Sequence, residues 1–137
     1  MTLSDLAVRL ELRVFTSGLP LDRPVLGGYA GDLLSDVIGH GRKNDLWLTM
    51  QVHPNIVAVA VLKDLAGIVL VGGRVPAAET LAQAEREKVP VLGTGLPAFE
   101  IAAGSSVVLD QVFDRECGTI RDAAERGDIR SLNQVAW

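Results

Sequence analysis

At 137 residues the chain has the size of a single domain with one buried core, and an apolar fraction of 48% excludes a disordered polymer. Seventeen acidic residues against thirteen basic ones, a net charge of −4 with no basic block, exclude a general binder of the nucleic-acid backbone. A single cysteine, Cys117, excludes an internal disulfide and any metal site built on several cysteines.

The first stretch, MTLSDLAVRLEL, has no basic leader and carries Asp5 and Arg9 inside its apolar run, so it does not read as a signal peptide. It reads as a short amphipathic helix with Ser4 as N-cap and leucines at 3, 6 and 10. LRVFTSG follows as a strand, with Leu12, Val14 and Thr16 on one side, Phe15 on the other, and Gly18 and Pro20 as breakers. LDRPVLGGYAGDLLSDV then predicts a short strand near Val25 and Leu26, a glycine turn, and a helix from about Asp32 to His40. That helix would bury Leu33, Leu34, Val37 and Ile38.

DLWLTMQV, residues 45 to 52, is the next strand. HPNIVAVAVLKDLAG alternates Val and Ala as a strand would. Its length, with Pro54 in the first turn, His53 at the cap position and Gly67 at the C-terminal cap position, favours a helix buried on most sides. This segment holds the longest apolar run, far short of the ~20 residues of a membrane span, so no membrane partner is expected and a cytoplasmic location is. GIVLVGG is a strand, RVPAAETLAQAEREKV a helix opening on Pro76 and Glu79 and closing on Lys88, PVLGTG a strand, and LPAFEIAAG a short helix.

Strands that alternate with helices imply parallel pairing through right-handed crossovers. The predicted fold is therefore α/β, a layered, mainly parallel sheet of about 4–5 strands flanked by helices, with an aliphatic core since aromatics are only 4% of the chain. Beyond Gly104, SSVVLDQVF reads as a further strand or a partner-binding segment, GTIRDAAERGDIR as a helix and SLNQVAW as an extended end. The apolar Trp137 suggests docking, so residues 1–104 are expected to form the α/β domain. Residues 105–137 would form an extension packed on that domain or on a dimer partner.

Three groups of residues invite a chemical reading. The glycine turn before a helix suggests a phosphate cradle, but the dinucleotide pattern has Leu26 where its first glycine belongs, and no lysine enters the helix. Asp32 would repel a phosphate there, so Asp22, Gly27, Gly28, Gly31 and Asp32 read as a structural turn. Asp22 and Arg23 either pair with each other or clamp that turn, and Arg23 is the group there able to meet an anion. The second group lies at the carboxyl ends of the parallel strands, where ligands gather in such sheets. It comprises Gln51, His53 and Asn55, then Gly72, Gly73 and Arg74, then Gly93 and Thr94. Arg74 offers a fork for a carboxylate or phosphate, or else a solvated charge beside a tight Gly-Gly turn. The third group is the pair of histidines. His53 reads as a cap or as a base, His40 as a helix terminus, and neither has a second ligand at metal spacing, so no metal site and no cofactor is expected.

Taken in order, Asp22-Arg23-Pro24-Val25-Leu26-Gly27-Gly28, Gly31-Asp32-Leu33-Leu34-Ser35-Asp36-Val37, Leu46-Trp47-Leu48-Thr49-Met50-Gln51, His53 to Ala60 and Gly72-Gly73-Arg74 resemble the DRTGG domain family across about residues 1 to 103. The run that names the family is altered here, with Pro24 for its threonine and Val25 and Leu26 inserted before Gly27-Gly28, so no role of that threonine carries over. The resemblance implies a small α/β domain similar to the N-terminal domain of HPr kinase, without kinase activity, since the phosphate loop of that enzyme lies in another domain. It also implies a regulatory or assembly module that often self-associates. The expected function is a non-catalytic regulatory or protein-interaction module that self-associates, as a homodimer or other homo-oligomer. The alternative is a sensor of a nucleotide or phosphorylated metabolite at the strand ends. An enzyme would need His53 near Ser35 or Asp36.

Overall fold

The computed structural model describes residues 1–104. The expected extension, with Cys117 and Trp137, lies outside the described residues.

Helix α1, Leu3–Arg9, is capped by Thr2 rather than Ser4. Thr2 is the residue with an acid three positions on. The Asp5 N–H donates to Thr2 Oγ1 at 3.2 Å, and the Thr2 N–H donates back to Asp5 Oδ2 at 3.0 Å. The Thr2 N–H first, and then the Thr2 hydroxyl, hold the Asp5 carboxyl below its ordinary range. The predicted strand shrinks to β1, Arg13–Val14.

Two departures follow from pairing. Strand β2 is Gly27–Ala30, so the expected glycine turn is itself a strand, and the start of the helix moves to α2, Leu34–His40. Gly27 and Gly28 pair with Asp45 and Leu46 of β3, Asp45–Thr49, and that tertiary ladder overrides the local turn preference of glycine. In α2 only Val37 is fully buried, and Leu33 and Ile38 are exposed. Helix α3 spans Asn55–Lys63 and ends at Asp64, which adopts the left-handed conformation at φ 54°. Gly67, expected as its cap, instead opens β4, Gly67–Leu70. Helix α4, Ala78–Glu87, ends the same way at Lys88, and β5 is Val91–Gly93. A last helix begins at 98 and reaches 104.

The sheet order is β1-β5-β4-β3-β2, with β2 to β5 parallel and β1 antiparallel on the β5 edge, as the α/β reading requires. The register aligns Tyr29, Trp47, Ile68 and Val91 in one row and Ala30, Leu48, Val69 and Leu92 in the next. Adjacent rows point to opposite faces, so the sheet feeds two cores. The first row packs with Val37 of α2, Ile56, Val57 and Ala60 of α3 and Ala84 of α4. The second packs with Leu3 and Leu6 of α1 and with Ile101 and Ala102 of the last helix. The three crossover helices thus share one face, while α1 and the last helix cover the other. Helix α3 is not enclosed as its apolarity suggests, since Val61 is 49% and Leu62 66% exposed.

Candidate functional site

A cleft of about 520 Å³ opens at the carboxyl ends of β2, β3 and β4. Leu33, Leu48, Met50, Val71 and Ala98 give it an apolar lining, and Tyr29, Asp32, Asp36 and Thr49 supply its polar side chains. Where β2 ends, the chain turns into α2 and carries Asp32 across to β3. Asp32 Oδ1 there accepts the Thr49 hydroxyl at 2.8 Å and the Met50 N–H at 2.7 Å. The Gln51 side-chain amide donates to the Asp32 carbonyl at 3.2 Å, and the Gln51 N–H donates to Thr49 Oγ1 at 3.1 Å. The indole N–H of Trp47 donates to the Gly31 carbonyl at 2.8 Å, fixing the same turn from below. One helical turn further, Asp36 Oδ2 accepts the Tyr29 hydroxyl, and His40 Nδ1 lies 3.1 Å from Asp36 Oδ1.

The site residues expected from sequence fall into separate places. Arg23 lies at the opposite end of the sheet, before β2. Its Nε donates to Asn44 Oδ1 at 2.8 Å, and its Nη2 donates to the Asp64 carbonyl at 2.6 Å and to Asp64 Oδ1 at 2.7 Å. It clamps the starts of β3 and β4, and its partner is Asp64 rather than Asp22. Gln51 is adjacent to the cleft through its bonds to Asp32 and Thr49. His53 and Asn55 are exposed at the start of α3, where the His53 carbonyl, not its ring, accepts the Ile56 N–H.

Gly72 and Gly73 adopt left-handed conformations, φ 66° and 74°, that side chains disfavour. Their N–H groups are committed to the carbonyls of Leu96 and Thr94, at 2.9 Å each, so they form no free anion nest. Thr94 Oγ1 accepts the Leu96 N–H, closing that paired turn, beside which Arg74 is exposed. Gly93 does leave space, but Phe15 takes it: a Cβ at Gly93 would stand 2.5 Å from the Phe15 ring, over which Arg13 also stacks at 4.7 Å. None of these eight strand-end residues lines the cleft.

Asp32, which from sequence reads as a turn residue, is one of the cleft's lining residues. Tyr29, Thr49 and Met50 are not among the site residues that the sequence marks, and Asp36 enters there only as a partner for His53. A strand at 27–30 would have exposed them, because the rule that points to strand ends then falls on Asp32 and Met50. Asp36 is bonded to Tyr29 and His40, so the pairing of His53 with Asp36 that an enzyme reading names is not formed. Among the described residues no group of three or more metal-ligating side chains converges, and no helix is long and apolar enough to cross a membrane.

No protein-family model matches the chain, and no curated protein is matched by its sequence. In fold it is similar to the crystal structure of the CBS and DRTGG domains of the regulatory region of Clostridium perfringens pyrophosphatase, complexed with its activator, diadenosine tetraphosphate. The likeness has a TM-score of 0.57 at 13% identity and covers 79% of this chain. This chain spans 46% of that structure, so the likeness is to part of a regulatory region. Its α/β architecture is of the kind found in that CBS and DRTGG region.

Proposed function

We propose that the chain is a non-catalytic regulatory module whose strand-end cleft senses a small molecule. The observation that carries this reading is the state of the cleft's own polar groups. Thr49 and Tyr29 each turn a hydroxyl to a carboxylate, but these residues are only 1% and 2% exposed, so neither presents a nucleophile to a substrate. What remains is a shaped cavity with fixed acceptors, suited to recognition. The fold likeness to a regulatory region that binds an activator supports the same reading. The test is a thermal-shift screen across nucleotides, phosphorylated metabolites, amines and carboxylates. A ligand that raises the midpoint and is recovered chemically unchanged is expected. A flat response, or turnover of any component, would sink the proposal.

A second reading, self-association, rests on α3. Its outward positions Ala58, Val61 and Leu62 form an apolar stripe one helical repeat apart, exposed between α2 and α4. Sedimentation velocity at micromolar concentration checks it: a dimer that Leu62→Lys dissociates supports it, and a monomer at all concentrations opposes it.

A further inference from the structure

We infer that the cleft takes a ligand with a cationic nitrogen on an apolar body, and not a phosphorylated one; this rests on the reading of the cleft as a ligand site. Among the described residues its charged lining groups are Asp32 and Asp36, and no Lys or Arg of those residues lines it. A phosphate entering there meets the two carboxylates of the lining and is repelled by them, whereas an ammonium is attracted. The two carboxylates are not equivalent. Asp36 has Tyr29 on one oxygen and His40 on the other. Asp32 has both of its donors, Thr49 and Met50, on Oδ1, and Oδ2 has no partner among the described residues. A hydrogen-bonded carboxylate with one oxygen left over holds that oxygen in a defined direction, as a preorganised acceptor for a charge-assisted bond. Leu33 and Met50, exposed at the rim of the cleft, with Ala98 beside them, offer apolar surface on which the body of such a ligand loses water, and together they fit a primary amine with a short hydrocarbon chain.

The probes are n-hexylamine, hexanoate and adenosine monophosphate, each titrated into the ¹⁵N-labelled protein. Hexylamine is expected to shift the Gly31 and Met50 amides saturably, and hexanoate and the nucleotide to leave them unmoved. Asp32→Asn keeps an oxygen for the Thr49 and Met50 donors, so the fold is preserved, and it is expected to weaken hexylamine at least tenfold. Raising the salt concentration is expected to weaken hexylamine severalfold in the unaltered protein. Hexanoate or nucleotide binding at these amides as tightly as hexylamine overturns the ligand class while leaving a ligand site in place. Unchanged affinity in Asp32→Asn likewise overturns it. If none of the three probes moves the cleft amides, both the class and the site fall together.

Discussion

The two ends of the parallel strands are built from similar residue types and arranged in opposite ways. At the amino end, Arg23 and Lys43 close on Asp64, and the Asp64 carbonyl also accepts the Asn44 N–H. Cations and anions there satisfy one another, and the Arg23 bond above all holds the Asp64 carboxyl below its ordinary range. At the carboxyl end, Asp32 meets a neutral hydroxyl and a backbone N–H group, so its charge is positioned without being cancelled. One end fastens the chain, and the other keeps a field available. Separating the two roles lets the carboxyl end vary while the sheet stays anchored from beneath.

The sharpest way to probe the anchored end is Asp45. It is 2% exposed at the start of β3 and accepts the Arg42 N–H at 2.9 Å. Burial raises its carboxyl from 3.8 to about 6, against the opposing pull of that bond and of the Arg42 charge. Because the folded value lies above the unfolded one, the stabilisation belongs to the protonated form. It is complete below about pH 4 and is lost as pH rises through 6. Urea denaturation from pH 4 to 7.5 is expected to show a fall of order 2–3 kcal/mol that Asp45→Asn removes. A slope unchanged in the variant would place the titration elsewhere. Asp5 and Asp64 act in the opposite sense, losing stabilisation as pH falls below about 4.

Arg23→Ala breaks the clamp itself. It is expected to cost about 1–2 kcal/mol in the same assay, a figure held down because both partners are partly exposed and screened. A negligible loss would show that the amino end is held by the backbone ladder alone. At the other end, Gly73→Ala places a Cβ in open space but demands the left-handed conformation, for about 1 kcal/mol. Gly73→Asn, more tolerant of that conformation, is expected to cost less, and calorimetric midpoints order the three chains. The smallest stability effect, about 0.5 kcal/mol or less, is expected for Asp32→Asn, since both donors keep an acceptor. A larger loss would mean that the cleft carboxylate anchors the fold after all.

The sheet was largely legible because its strands are short aliphatic runs separated by helices of regular period. The Val-Ala alternation of α3 is consistent with both readings, and Pro54 with the following length decides for helix. What was not legible depended on partners distant in sequence. Nothing local tells Gly27-Gly28 to extend, since the instruction comes from pairing with Asp45 and Leu46. With β2 displaced, Asp32 reads as part of a structural turn and not as a residue bonded to Thr49 and Met50, seventeen and eighteen positions away. From sequence Arg23 pairs with Asp22, clamps its turn or meets an anion, because Asp64, forty-one residues on, cannot be seen as its partner from the order of residues. Gly93, which the sequence places among the strand-end residues, stands at a close approach of Phe15, a residue brought to the β5 edge only through the pairing of β1.

The bond from the Trp47 indole to the Gly31 carbonyl gives the molecule an optical gauge. The ring is wholly enclosed, yet its nitrogen is tied to the backbone segment that borders the groove. Replacing Trp137, the other tryptophan in the sequence, with phenylalanine leaves a single emitter. Any occupant that draws the Gly31 segment inward or pushes it away will change the polarity felt by the excited indole, so occupancy can be followed by its emission without an added dye.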